Sequence, residues 1–288
     1  MVTNIHQREP GVVTRFAPSP TGYLHLGHAY SAIINFKQAR DADGRFLLRI
    51  EDIDQQRCRP EYIAAIFEDL HWLGLSWDEP PLQQSQRLAF YEARLASLHA
   101  RGLVYRCFRT RQDIKDAMSA PHKTPARVFQ GAPLAALEER DNLAEGRPYA
   151  WRLSLTAVQA ALGPKFSALT FVEETDDGLV ERPAEPWRFG DVVLGRKDSG
   201  TSYHLASVLD DAAQGVTRVT RGEDLREAAG LHALLYALFE LEPPIYRHHK
   251  LLTDEAGRRL SKRDGSVALR TMRDAGVSAE ELRAQLLR

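Results

Sequence analysis

Gly11-Val-Val-Thr-Arg-Phe16 runs directly into Ala17-Pro-Ser-Pro-Thr-Gly22. The first six residues are β-branched and apolar enough for a short strand, and the two prolines that follow bar that strand from continuing. Past the loop, Ala29, Ala32, Ile33, Phe36 and Ala39 recur at helical spacing. Asp43-Gly44 then turns the chain into Phe46-Leu-Leu-Arg-Ile50, a compact apolar strand. Strand, helix and strand in so few residues make a βαβ unit, which requires a parallel sheet. A ligand of such a sheet lies beyond the carboxyl ends of the strands, where this chain places Arg15 and the pair Glu51-Asp52.

Working outward, apolar stripes predict helices over 61–75 and 88–101. From 104 to 186 the periodicity is broken by seven prolines, which predicts an inserted α+β subdomain. Regular signals return at 191–194 and 203–209, followed by an alternating strand at 216–220 and a helix at 231–239. The expected organisation is a parallel-sheet domain from 1–103 and 187–245, the insertion at 104–186, and a loop with a short helical segment at 246–288.

The composition is that of a folded globular protein: 288 residues, 43% hydrophobic, with 38 Lys and Arg against 39 Asp and Glu. Disorder, collagen and coiled coil are excluded. No stretch approaches the roughly 20 apolar residues of a membrane span, and Met1–Pro10 has no apolar leader core. Two cysteines, Cys58 and Cys107, cannot build a disulfide framework, so a cytoplasmic protein is expected. The net charge of −1 hides an uneven distribution. Seven Lys or Arg lie between 101 and 127, acidic residues crowd 173–185, and ten Lys or Arg fall between 245 and 288. The basic insertion, with Tyr105 and Phe108 among its arginines, is an expected RNA face, the alternative being a solvated surface over two core aromatics.

Gly22-Tyr-Leu-His-Leu-Gly27-His28-Ala29 looks like a phosphate loop but carries His28 and Ala29 where that loop needs Lys and a hydroxyl. It offers instead His25 and His28 where a loop enters a helix, with Gly27 between them. Two imidazoles at a helix N-terminus can donate to polyphosphate oxygens. A second element, Arg258-Arg-Leu-Ser-Lys-Arg-Asp-Gly265, sets Lys262 among three arginines and suits the transient charge of phosphoryl transfer.

With both elements in view, the sequence resembles the class I aminoacyl-tRNA synthetases of the glutamyl branch. His25-Leu-Gly-His28 is similar to the HIGH signature and Arg259-Leu-Ser-Lys-Arg263 to KMSKS. Thr14–Gly22, Leu48–Asp54, Tyr203–Asp211 and Thr220–Leu225 resemble further words of that branch, in the same order. The resemblance implies a Rossmann-type parallel sheet that binds L-glutamate, ATP and Mg²⁺. It also implies roles. Arg15 and Arg221 face the substrate carboxylates, Glu51 holds the α-ammonium, and Ala17, Ser19 and Tyr203 line the glutamate site. His25, Gly27, His28, Arg259, Ser261 and Lys262 take the ATP, with His25, His28 and Lys262 stabilising charge on the phosphates.

Only about 23 residues follow the second motif, so the anticodon-reading region of complete glutamyl enzymes is expected to be absent. The resemblance therefore narrows to the short branch that activates glutamate without tRNA and transfers it to the queuosine base at the wobble position of tRNA(Asp). Ser207, where longer enzymes tend to carry Asn, agrees. Two alternatives stand: charging of the 3′ end of tRNA(Glu) by a catalytic-domain enzyme, and a non-catalytic RNA- or glutamate-binding paralogue. A zinc site found in many short-branch members is expected to be lost. Cys107 remains, but Arg109 replaces the second sulfur, leaving His122 as a lone further candidate. A monomer without membrane contact is expected.

Overall fold

The computed structural model describes residues 11–118, 128–252 and 267–287. Its opening elements are β1 (Val13–Phe16), α1 (Leu26–Asp41) and β2 (Arg45–Ile50), with β1 and β2 parallel from Val13↔Arg45 to Phe16↔Leu48. The chain continues through α2 (Pro60–Trp72), β3 (Leu82–Gln83), α3 (Leu88–Ala100), β4 (Val104–Cys107), α4 (Arg111–Met118) and α5 (Ala136–Ala144). β5 (Ala150–Leu153), α6 (Leu155–Leu162), α7 (Lys165–Ala168), β6 (Thr170–Thr175), β7 (Gly178–Pro183) and β8 (Val193–Gly195) follow. The last described elements are α8 (Tyr203–Ala213), β9 (Arg218–Gly222), α9 (Ala228–Leu238), β10 (Ile245–His249), α10 (Leu269–Asp274) and α11 (Ala279–Leu286).

Three sheets form, in the orders β1-β2-β3, β7-β6-β10-β9 and β4-β5-β8. The first two meet edge to edge. Val13 N–H donates to Thr217 Oγ1 at 2.9 Å, and Thr217 N–H to the Val13 carbonyl at 3.0 Å. β1, β2, β3, β9 and β10 all run parallel within these pairings, the α/β arrangement that the βαβ opening predicts.

Helix α1 lies close over the sheet because its inner face is small: Ala29, Ala32 and Ala39 are buried. Asn35 fixes the helix. Its Nδ2 donates to Ser31 O (2.8 Å) and Thr220 O (3.0 Å), and Thr14 Oγ1 donates to the Asn35 carbonyl (2.8 Å). Asn35 thereby ties α1 to β9 through its side-chain amide and to β1 through its backbone carbonyl, the two strands that flank the site.

The proline-rich stretch 104–186 is shared between sheets. β4 and β5 pair antiparallel and join β8, whereas the β6–β7 hairpin adds to the parallel sheet, with Glu173 of β6 opposite Tyr246 of β10. Asp176-Asp177-Gly178 makes the hairpin turn, with Gly178 at φ 114°, a backbone that only glycine adopts readily. Five of the six carboxylates of 173–185 thus belong to a hairpin that extends the parallel sheet, and Glu185 follows it.

The C-terminal segment docks on the HxGH turn. Leu269 N–H donates to the Leu24 carbonyl at 2.8 Å, and Ala268 bridges His25. Leu269 and Leu282 are buried with Leu24, Leu70 and Leu73. Arg273 pairs at 3.0 Å with Asp69 of α2, whose carboxyl burial pushes up to about 6. Among the described residues no helix is long and apolar enough to cross a membrane.

Candidate active site

The carboxyl ends of β1, β2, β9 and β10 open into one cleft of about 390 Å³. Arg15, Ala17, Ser19, His25, Gly27, His28, Glu51, Tyr203 and Arg221 all line it. The remaining candidates, Arg259, Ser261 and Lys262, lie outside the described residues. The Pro-Ser-Pro loop is pinned on both sides: Glu51 N–H donates to Pro18 O at 3.0 Å, and Arg59 N–H to Pro20 O at 3.1 Å. Each proline lacks an N–H but keeps a carbonyl, so the loop is tied down through its acceptors.

One wall is a buried charge network. Arg15 Nε donates to Asp211 Oδ1 at 3.0 Å, Arg49 Nη1 donates to the same oxygen at 2.6 Å, and Arg49 Nη2 reaches Glu51 Oε1 at 3.2 Å. Burial raises the Asp211 carboxyl, and the two guanidinium groups outweigh it and hold it below the usual carboxylate range. Glu51 ends on the other side of the balance: burial holds it above that range despite Arg49 and Arg15. A ligand cation beside Glu51 would restore its charge.

Arg49 and Asp211 are absent from the sequence-derived candidates. A signal for Arg49 exists: it is the one charge inside Phe46-Leu-Leu-Arg-Ile50, and an arginine on a buried strand demands a buried acid.

The opposite wall is built differently. Arg221 is only 5% exposed. Its Nη1 donates to Tyr203 Oη (3.3 Å), its Nη2 to Leu225 O (3.0 Å) and its Nε to His248 Nε2 (3.4 Å). The guanidinium carbon stands 5.0 Å from the centre of the Tyr246 ring. Phenol, carbonyl and imidazole are all neutral acceptors. His204 and His232, 3.2 Å apart beneath Tyr203, are neutral too, burial having pushed His204 down to about 4 and His232 well below its ordinary value. A buried cation whose hydrogen-bond acceptors are neutral keeps its charge available and is suited to an anion.

His25 caps α1. Its Nδ1 accepts from Gly27 N–H at 3.1 Å, and His28 Nδ1 accepts in turn from His25 N–H at 3.2 Å. The rings lie 3.9 Å apart. Accepting through Nδ1 puts the proton of each neutral ring on Nε2, the donor form suited to a phosphate oxygen. A Cβ on residue 27 would come within 3.0 Å of His25 Cε1, so Gly27 makes room for the imidazole as well as for a ligand.

The expected RNA-stacking aromatics are corrected by the structure. Tyr105 is 5% exposed and donates to Asp191 at 2.9 Å, and Phe108 is 8% exposed against Tyr149. Val104 of β4 packs with α3, so the alternation of the strand turns Tyr105 to the opposite face, where Gly131 N–H shares its Asp191 acceptor; Phe108 follows the strand, and Arg106 is engaged with Glu139. Cys107 is likewise buried on β4, opposite Ala150. Among the described residues no group of three or more His, Cys, Asp or Glu could hold a metal ion; His122 lies outside them.

The family model for tRNA synthetases class I (E and Q), catalytic domain, matches residues 11–288. The chain belongs to this family. Among curated relatives of the synthetase, the glutamyl-Q tRNA(Asp) synthetases of Rhodobacter capsulatus and Nocardia farcinica are 48% and 40% identical. Those matches cover 94% and 96% of this chain and 98% and 84% of theirs. A glutamate–tRNA ligase of Synechococcus sp. (strain CC9311) is 36% identical, over 94% of this chain and 56% of its own.

Among solved structures, a glutamate tRNA ligase from Elizabethkingia meningosepticum in complex with its amino acid superposes with a TM-score of 0.71 at 29% identity. It covers 88% of this synthetase, which spans about half (52%) of that longer protein.

Proposed function

We propose that this synthetase activates L-glutamate with ATP and transfers it to the queuosine base at the wobble position of tRNA(Asp), as its full-length relatives are named for. The observation that carries the substrate is Arg221, a buried guanidinium with neutral acceptors, facing Arg15 and Glu51 across one cleft. A dicarboxylic amino acid answers all three: its carboxylates meet the guanidinium groups and its ammonium meets Glu51. Tyr203, Ala17 and Ser19 close the sides.

In the chemical step the α-carboxylate oxygen attacks the α-phosphorus of ATP, the bond to the β-phosphate oxygen breaks, and pyrophosphate leaves. His25 and His28, donating through Nε2 above the N-terminus of α1, stabilise the charge that builds on the phosphates. Gly27 lets the triphosphate approach the backbone. Arg259, Ser261 and Lys262 are proposed to complete the phosphate site. Mg²⁺ belongs here to the ATP substrate, whose phosphate oxygens it binds. A hydroxyl on the cyclopentene ring of queuosine then attacks the glutamyl carbonyl and AMP departs. The synthetase is proposed to act in the cytoplasm as a monomer.

The relatives named glutamate–tRNA ligase favour a second reading, charging of the 3′ end of tRNA(Glu). Glutamate-dependent exchange of pyrophosphate into ATP separates the two. The favoured function predicts exchange without any tRNA; exchange that appears only when tRNA(Glu) is added supports the second.

A further inference from the structure

The acidic hairpin β6–β7 reaches the active site through one imidazole. Glu173 is buried on β6, with His248 Nδ1 at 2.7 Å from its Oε1. Glu173 also faces Arg182 at 3.1 Å and Arg226 at 3.3 Å, and these cations with His248 overcome burial and keep it ionised. An ionised carboxylate accepts, so Nδ1 of His248 carries the proton and Nε2 is left with a lone pair. That lone pair faces Arg221 Nε at 3.4 Å. The ring has no other freedom: its side chain is fully buried and stacks parallel on Tyr246, 6.1 Å between centres.

We infer that His248 is a positioning residue for glutamate: held in one tautomer by Glu173, it fixes the Nε edge of Arg221 with a neutral acceptor, so that the cation is oriented yet still available to a carboxylate. This rests on the reading of Arg221 as a carboxylate ligand. Three different acceptors grip the guanidinium, one at each nitrogen, and Tyr246 supports its face. Tyr203 belongs to the site and Leu225 contributes only backbone, which leaves His248 as the side chain behind Arg221.

Neutrality is the point of an imidazole here. A carboxylate in direct contact would hold Arg221 as firmly but would neutralise it against the substrate. The structure instead inserts the ring between Glu173 and Arg221, and burial pushes the imidazole down to about 4, keeping it uncharged at neutral pH. The charged and titratable groups around it are Glu173, Arg226, Arg221 and Tyr246, from β6, the turn before α9, β9 and β10.

The test is a double-mutant cycle on glutamate KM and kcat in tRNA-independent pyrophosphate exchange, with His248→Phe and Arg221→Ala. Phenylalanine keeps the volume and the stack on Tyr246 but offers no acceptor. The expected result is a rise of about tenfold in glutamate KM with kcat within about threefold, since the loss falls on binding geometry. In the Arg221→Ala background the same change should add less than about twofold, because the residue acts through Arg221.

His248→Gln, which keeps an acceptor, should recover most of the KM and guards against poor folding of the first variant. An unchanged KM in His248→Phe, or an equal penalty with and without Arg221, overturns the positioning role while Arg221→Ala still reports on the arginine. If Arg221→Ala itself leaves KM unchanged, the carboxylate reading falls and the inference with it.

Discussion

Asp211→Ala is expected to lower the unfolding free energy by about 3–5 kcal/mol and to abolish glutamate binding, because it strands two buried guanidinium groups. Arg15 and Arg49 both point at Asp211 Oδ1, and the Arg49 side chain is fully buried. With the carboxylate gone, Glu51 would be the nearest counter-charge, and its interaction with Arg49 would draw it away from a substrate ammonium. The control is Asp198→Ala. Asp198 pairs with Arg196 at 2.6 Å but is 40% exposed, and such a pair is worth no more than about 1 kcal/mol. Urea unfolding of the two variants against wild type measures the contrast. A loss below about 1 kcal/mol for Asp211→Ala would contradict the network as the support of the site.

The second large effect belongs to His28 and His25. Removing one preorganised donor to a developing phosphate charge costs about 10²–10³ in rate, so His28→Ala should slow single-turnover adenylate formation by that factor with glutamate affinity unchanged. His25 has two jobs that substitution can separate. Its Nδ1 caps α1, and its Nε2 is proposed to face the phosphates. His25→Ala should lose both, whereas His25→Asn retains a capping acceptor and should recover the roughly 1 kcal/mol of helix stability without the rate. Recovery of the rate together with the cap would assign His25 a structural role only.

How much of this was legible in the sequence follows from how local each signal is. Phe16 to Ile50 carries its own evidence: two prolines end a strand, alanines at helical spacing mark a helix that packs close, and an apolar run follows Asp43-Gly44. The parallel pairing and the position of Arg15 and Glu51 at the strand ends follow from that alone. The β6–β7 hairpin was hidden because its strand pairing to β10 spans some 70 residues, and the prolines around it read as irregular structure. Tyr105 and Phe108 were misplaced for a related reason: whether an aromatic among arginines is core or surface depends on distant segments packed over it, Asp191 for Tyr105 and Tyr149 for Phe108.

The candidate site divides the same way. HxGH announces itself as two histidines at a helix start, and a charge inside Phe46–Ile50 calls for a partner. That the partner of Arg49 is Asp211, and that His248 stands behind Arg221, are long-range facts of topology. No local pattern contains them. The docking of Leu269 onto Leu24 is another such fact, and it returns the chain beyond the second motif to the first.

The most direct test of the central claim is incorporation of labelled glutamate from MgATP into three purified RNAs: tRNA(Asp) with queuosine, tRNA(Asp) without it, and tRNA(Glu). The account predicts label on the queuosine-containing tRNA(Asp) alone. Equal labelling of tRNA(Asp) without queuosine, or labelling of tRNA(Glu) at its 3′ end, would contradict it.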